Sequence, residues 1–124
     1  MAILSFDWDD VSIDNKTVQQ ALCQLTAEYG PEMVWYRVSS SGQGLHVLVA
    51  GIDDRFHLRP VSIPETESFR WRTHFFEPPY ELECGGRLRA DNERCAHGFS
   101  TGRLFSHKNQ TSAGDWIPFI TRNT

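Results

Sequence analysis

Residues 3–9, ILSFDWD, change character at every step. Leu4, Phe6 and Trp8 fall on one side of a period of two, and Ser5, Asp7 and Asp9 fall on the other. Successive side chains of an extended chain point to opposite faces of a sheet, so the pattern predicts a half-buried strand. A strand of this kind cannot stand alone. Its apolar face needs neighbouring strands and a second layer packed across it. Two further segments meet that need. In MVWYRVS, residues 33–39, Val34, Tyr36 and Val38 alternate with Trp35, Arg37 and Ser39. In LHVLVAG, residues 45–51, Leu45, Val47 and Val49 alternate with His46 and Leu48. The short loop SSGQG between them predicts a hairpin.

Between the first two strands, Val18, Ala21, Leu22 and Leu25 recur at helical spacing. Asp14 or Asn15 can cap that helix, and Gly30 with Pro31 stops it. The stretch PETESFRWRTHFFEP predicts a second helix, opened by Pro64, favoured by Glu65 and Glu67 in its first turn, and ended by Pro78. GRLRAD, residues 86–91, alternates again and reads as a strand, with Leu88 and Ala90 opposite Arg87, Arg89 and Asp91. A turn or short helix through NERCAHG then leads to a strand at TGRLFSH, and DWIPFI adds an edge strand that tolerates Pro118. The order predicts an α+β fold: an RRM-like (ferredoxin-like) βαββαβ core with an antiparallel sheet and extra C-terminal strands. Right-handed crossovers set the first strand beside the third and the fourth. Helices cover one face and the other stays open. A length of 124 residues suits a single domain spanning 1–124.

Composition narrows the partners. Apolar residues make up 40% and charged residues 23%, as in an ordinary globular protein. No window approaches the ~18 apolar residues of a membrane span, and MAILSFDWDD lacks the basic start of a signal peptide. Cys23, Cys84 and Cys95 have no CxxC spacing, so they read as reduced thiols of a cytoplasmic protein. A zinc site from Cys84, Cys95 and His97 is the weaker alternative, because its spacing is irregular. The net charge of -4 does not announce a polyanion binder. The distribution says more: the first fourteen residues carry Asp7, Asp9, Asp10 and Asp14 without a Lys or Arg, whereas residues 87–108 carry Arg87, Arg89, Arg94, Arg103 and Lys108 against Asp91 and Glu93.

Strand parity brings these groups together. If Leu4, Phe6 and Trp8, then Leu45, Val47 and Val49, then Leu88 and Ala90 face the helices, Asp7, Asp9, His46, Asp91, Arg87 and Arg89 emerge on the opposite face, with Arg37. Three carboxylates there would repel one another unless a cation lay between them. Mg²⁺ or Mn²⁺ takes such oxygen ligands, and the arginines and histidine suit a triphosphate.

FDWD, SGQGLH on a strand after one helix, and an acid among arginines in RLRADNER together resemble the archaeo-eukaryotic primase superfamily, which includes primase small subunits and primase-polymerases. The resemblance covers residues 3–51 and, more loosely, 86–108. It implies a minimal catalytic domain that joins NTP or dNTP to a nucleic-acid 3'-hydroxyl or makes short primers. Asp7, Asp9 and Asp91 would be the catalytic acids and would hold two divalent ions, with Glu83 and Asp10 as competing third acids. Ser41, Gly42, Gly44, His46, Arg89 and Lys108 would bind the nucleotide. Trp35, Arg37, Arg87, Arg94 and Arg103 would meet nucleic acid. The implied partners are nucleoside triphosphates, a single-stranded DNA template or primer, and a second replication subunit such as a helicase or primase accessory. Two other classes stay open: a catalytically degenerate nucleic-acid or nucleotide-binding module, and a metal-dependent phosphodiesterase or nuclease.

Overall fold

A computed structural model describes residues 1–83, 85–96, 107–108 and 111–120. In chain order its elements are β1 (Ala2–Ile3), β2 (Ser5–Asp9), α1 (Lys16–Tyr29), β3 (Val34–Val38), β4 (Gly44–Ile52), β5 (Leu58–Pro60), β6 (Ser62–Ile63), α2 (Glu65–Phe76), α3 (Gly85–Ala96), β7 (His107–Lys108), β8 (Thr111–Ser112) and β9 (Ile117–Pro118). The chain is α+β. Its main sheet runs β2-β4-β3-β9, with β5 also on β4, and every pairing is antiparallel.

The first strand and the second are thus separated in the sheet by the third, with α1 crossing between them, as in a split βαβ unit. The side chain of Asn15 starts α1: Oδ1 accepts the backbone N–H groups of Thr17 at 2.8 Å and Val18 at 3.2 Å. Gly30, at φ 107, ends it in a conformation that a side chain would resist. Val18, Ala21, Leu22 and Leu25 are buried against the sheet, as their spacing predicts. Helix α2 adds Phe75, whose ring meets Phe6 and Trp8 edge-on at 5.3 and 5.5 Å between centroids. The core is therefore the even-numbered side of β2 together with Leu45, Val47, Val49 and Val34.

Arg72 of α2 is fully buried, which is unusual for a charge. Its position explains it. Leu4 O accepts from Val49 N, so the odd-numbered carbonyls of this segment point away from β4. Arg72 Nε donates to Ser5 O and Nη2 to Ile3 O, each at 3.3 Å. A helix side chain thus stands in for strand neighbours along the free edge. Farther along, Glu83 forms a single antiparallel bridge with Trp8. That bridge follows α2 and lies beside the first strand, so it takes the position expected of a fourth strand.

The predicted strand at 86–91 is therefore overturned. GRLRAD lies inside α3. Residues 85–96, GGRLRADNERCA, contain no β-branched or aromatic residue, and Arg, Leu, Ala and Glu favour helix. Two apolar positions were too few to define a period. In a helix, residues two apart lie on different sides, so Arg89 does not share a face with positions 87 and 91 as it would on a strand. The predicted second helix and the edge strand at the tail are both present, with Pro118 opposite Trp35 at the sheet margin. Of TGRLFSH, only His107 is described; it pairs with Ser112 in the β7–β8 hairpin.

Two local networks fix the periphery. The Tyr29 hydroxyl donates to Glu67 Oε1 and accepts from Trp71 Nε1, each at 2.9 Å, tying α1 to α2. Burial, followed by the bond to Glu67, pushes the Tyr29 phenol up to about 12. At the β4–β5 turn, Asp53 accepts the backbone N–H groups of Arg55 and His57, both at 2.9 Å, and Arg59 Nε at 2.8 Å. The His57 N–H chiefly holds that carboxyl below its usual range. No helix among the described residues is long and apolar enough to cross a membrane.

Candidate functional site

The face opposite the helices carries Ser5, Asp7 and Asp9 from β2, His46 and Leu48 from β4, and Trp35 and Arg37 from β3. Register aligns them in rows. Asp7 lies directly opposite His46, and His46 directly opposite Arg37. Directly opposed side chains in antiparallel strands have Cβ atoms about 5 Å apart, so the row Arg37–His46–Asp7 is contiguous. The bonding agrees. Arg37 Nε donates to His46 Nδ1 at 3.0 Å, and His46 Nε2 lies 3.9 Å from Asp7 Oδ1. Parity thus carries Asp7, His46 and Arg37 to one face, as the alternation predicts.

That face is not open throughout, which corrects the simple two-sided picture. His46 is 3% exposed, Ser5 0% and Leu48 7%. Trp35 and Arg37 on β3 are half-buried, and the most accessible part is a margin at the N-terminal end of β4, where Asp9 is exposed and the Asp7 side chain keeps 33% of its surface. Ser41, Gly42 and Gln43 are exposed beside them.

The glycine loop owes its shape to internal bonds. Gly42 N donates to Ser39 O at 2.9 Å, Gln43 N donates to Ser41 Oγ at 3.3 Å, and the Ser39 and Ser41 hydroxyls share a bond of 3.0 Å. Two of the backbone N–H groups between residues 41 and 44 are therefore committed within the loop. Gly42 sits at φ 77 with open space where a Cβ would be. Gly44 has a different reason to be glycine. A Cβ there would lie 2.4 Å from Trp8 O and 3.2 Å from Asp9 Cα, both backbone atoms. Gly44 lets β2 approach β4 at the point where Asp9 leaves the sheet.

Arg37 is held from two sides. Its Cζ lies 4.3 Å from the centroid of the Trp116 ring. Burial lowers its affinity for its proton relative to an exposed arginine, although a guanidinium remains a cation under ordinary conditions. The role of Trp116 was missed in the sequence. No sequence signal places it: Ile117 pairs with Tyr36, so Trp116, one step earlier, falls opposite Arg37, and alternation alone does not give that register. Trp35 anchors itself by donating Nε1 to Ala50 O at 3.0 Å.

The third acid divides by position. Glu83 is opposite the core-facing Trp8, and its Oε2 accepts the Trp8 indole N–H at 3.1 Å. It therefore lies on the helix side of the sheet, away from Asp7 and Asp9. Asp10 is exposed just beyond β2 in a left-handed conformation, at φ 56. Asp91 belongs by its backbone to α3, as do Arg87 and Arg94, and Lys108 to β7; their side chains lie outside the described residues. Arg89 is on α3 and exposed. Arg103, Cys84 and His97 lie outside the described residues, as does the side chain of Cys95.

Among the described residues, no three His, Cys, Asp or Glu side chains gather closely enough to hold a metal ion. The donor chemistry nonetheless suits an open Mg²⁺ or Mn²⁺ site. Mg²⁺ is commonly held by one or two carboxylates with substrate phosphates completing its shell, rather than by an all-protein cage. Asp7 and Asp9 share a face with Cα atoms about 6.7 Å apart along the strand, and both reach its accessible margin.

No protein-family model matches the chain, and neither a curated protein nor a solved structure does.

Proposed function

We propose that the chain is a primase-type nucleotidyltransferase with an RRM-like core. It would join NTP or dNTP to a nucleic-acid 3'-hydroxyl, or begin short primers, in the cytoplasm. The observation that carries the reading is the row Arg37–His46–Asp7 across three adjacent strands, with Asp9 on the same strand and the SGQG loop at the row's open end. The order β2-β4-β3 about a crossover helix, with a lone bridge at the fourth-strand position, supports the fold assignment.

In this reading Asp7 and Asp9 would hold Mg²⁺ or Mn²⁺, and the strand argument that brought Asp91 to them as a third acid falls with the strand. The bound ion would supply Lewis acidity to the phosphate oxygens and to the attacking hydroxyl. His46, 3% exposed, would reach a phosphate oxygen of the incoming nucleotide only from the side of its ring that faces Asp7. Arg37 places a cation next to that histidine, and Arg89 and Lys108 add charge for the triphosphate or the template. A single-stranded DNA template and a helicase or accessory replication subunit would be the macromolecular partners.

The test uses labelled nucleotide, a primed single-stranded template and Mn²⁺, with Mn²⁺ affinity measured by calorimetry. The wild type extends the primer, and the double variant Asp7→Asn with Asp9→Asn keeps its circular dichroism while losing extension and Mn²⁺ binding. Undiminished extension by the double variant would overturn the role of the acids. Template cleavage without extension would replace synthesis by a nuclease reading. Nucleotide or DNA binding with neither reaction would leave a binding module.

A further inference from the structure

The side chains of Arg37 and Asp7, from the two strands that flank β4, meet His46 in a way that fixes its chemistry. A guanidinium carries only donors. Arg37 Nε lies 3.0 Å from His46 Nδ1, so Nδ1 must present its lone pair. The ring proton then resides on Nε2, the nitrogen that faces Asp7 Oδ1 at 3.9 Å. Arg37 is in turn placed by the C-terminal segment. Gly114 N donates to Val38 O at 2.9 Å and Phe119 N to Val34 O at 2.8 Å, so residues 114–119 run along β3 as an added edge. That run sets Trp116 against the guanidinium, 4.3 Å from ring centroid to Cζ.

We infer that Trp116 and Arg37 are positioning residues that lock His46 as its Nε2–H tautomer, making it a dedicated hydrogen-bond donor toward the Asp7 side of the site. A ring locked in this way cannot accept a proton at Nε2 or ligate a metal through it. It can donate to an oxyanion such as a phosphate, and in that respect the inference rests on the nucleotidyltransferase reading. Lysine cannot replace Arg37, because an ammonium lacks the planar Nε–H that reaches Nδ1 while the ring of Trp116 covers the guanidinium. The C-terminal strand is then part of the site, although it lies far from β2 in sequence.

Nitrogen NMR of histidine- and arginine-labelled protein without nucleotide tests the lock directly. The wild type should show His46 with Nε2 protonated, Nδ1 unprotonated, and a through-hydrogen-bond nitrogen–nitrogen coupling to Arg37 Nε. Trp116→Ala should weaken or abolish that coupling, and Arg37→Lys should abolish it. A wild-type ring protonated at Nδ1 would overturn the inference, whatever the variants do. A coupling unchanged in Trp116→Ala would remove the C-terminal strand from it. In primer extension, Arg37→Lys should raise the nucleotide KM roughly tenfold, the loss of one charge-assisted bond, with kcat much less affected. If the wild type shows the coupling yet extends no primer, the lock stands and the nucleotidyltransferase reading falls.

Discussion

Gly42 and Gly44 belong to one short motif, but they should respond very differently to the same methyl group. At Gly44, an added Cβ would lie 2.4 Å from Trp8 O, where ordinary contact begins near 3.4 Å. The deficit is about 1 Å, and the obstructing atoms are backbone, so no side chain can rotate away. Strands β2 and β4 must separate locally. Overpacking of this kind costs about 1–3 kcal/mol, and a loosened ladder bond adds roughly 1 kcal/mol. We expect Gly44→Ala to lose about 3 kcal/mol, or roughly 10 °C in Tm for a chain of this size. At Gly42 nothing lies within 4 Å of the new atom, and only the φ of 77 resists it. Gly42→Ala should therefore lose about 1 kcal/mol. Urea denaturation followed by circular dichroism measures both. Gly44 is opposite Asp9, so, under the metal role proposed for Asp9, Mn²⁺ affinity should fall in Gly44→Ala and stay near wild type in Gly42→Ala. Equal losses, or a larger loss at Gly42, would refute the close-approach argument.

Two titratable groups give further checks. The Tyr29 phenol, pushed up to about 12, favours the folded state below its unfolded value near 10, and that contribution disappears as pH rises through 12. Ultraviolet titration of the folded protein should show one late-ionising phenol, absent in Tyr29→Phe. Asp53 is held below the usual carboxylate range, so its contribution is present above the unfolded value near 4 and is lost as pH falls through its lower folded value. Thermal melts of wild type and Asp53→Ala should differ at neutral pH and converge in acid; a constant difference would deny the ionised carboxylate its part in the turn.

Much of the site was legible because strand parity is a strictly local rule. Once Leu4, Phe6 and Trp8 are committed to the core, Asp7 and Asp9 have only one side left, and the same reasoning places His46 and Arg37. Parity fails where the local conformation itself is misassigned. GRLRAD alternates over too few apolar positions to separate a strand from a helix, and the lack of β-branched residues across 85–96 was the better guide. Register was not legible at all. Alternation says which face a side chain takes, not which residue lies opposite it.

The amino-acid order alone determined the first two helices and where they stop, the hairpin at SGQG, and the separation of apolar from polar faces on β2, β3 and β4. These follow from spacing and turn chemistry within a few residues. The same order left the cap of α1 open between Asp14 and Asn15 and hid α3. Only the folded chain decided that Asp7, His46 and Arg37 form one row, that Trp116 closes it, that Glu83 turns beneath the sheet to Trp8, and that Arg72 covers a strand edge. Each of those joins residues far apart in sequence, and pairing across a sheet is selected by the packing of the whole core, which no short window of sequence contains.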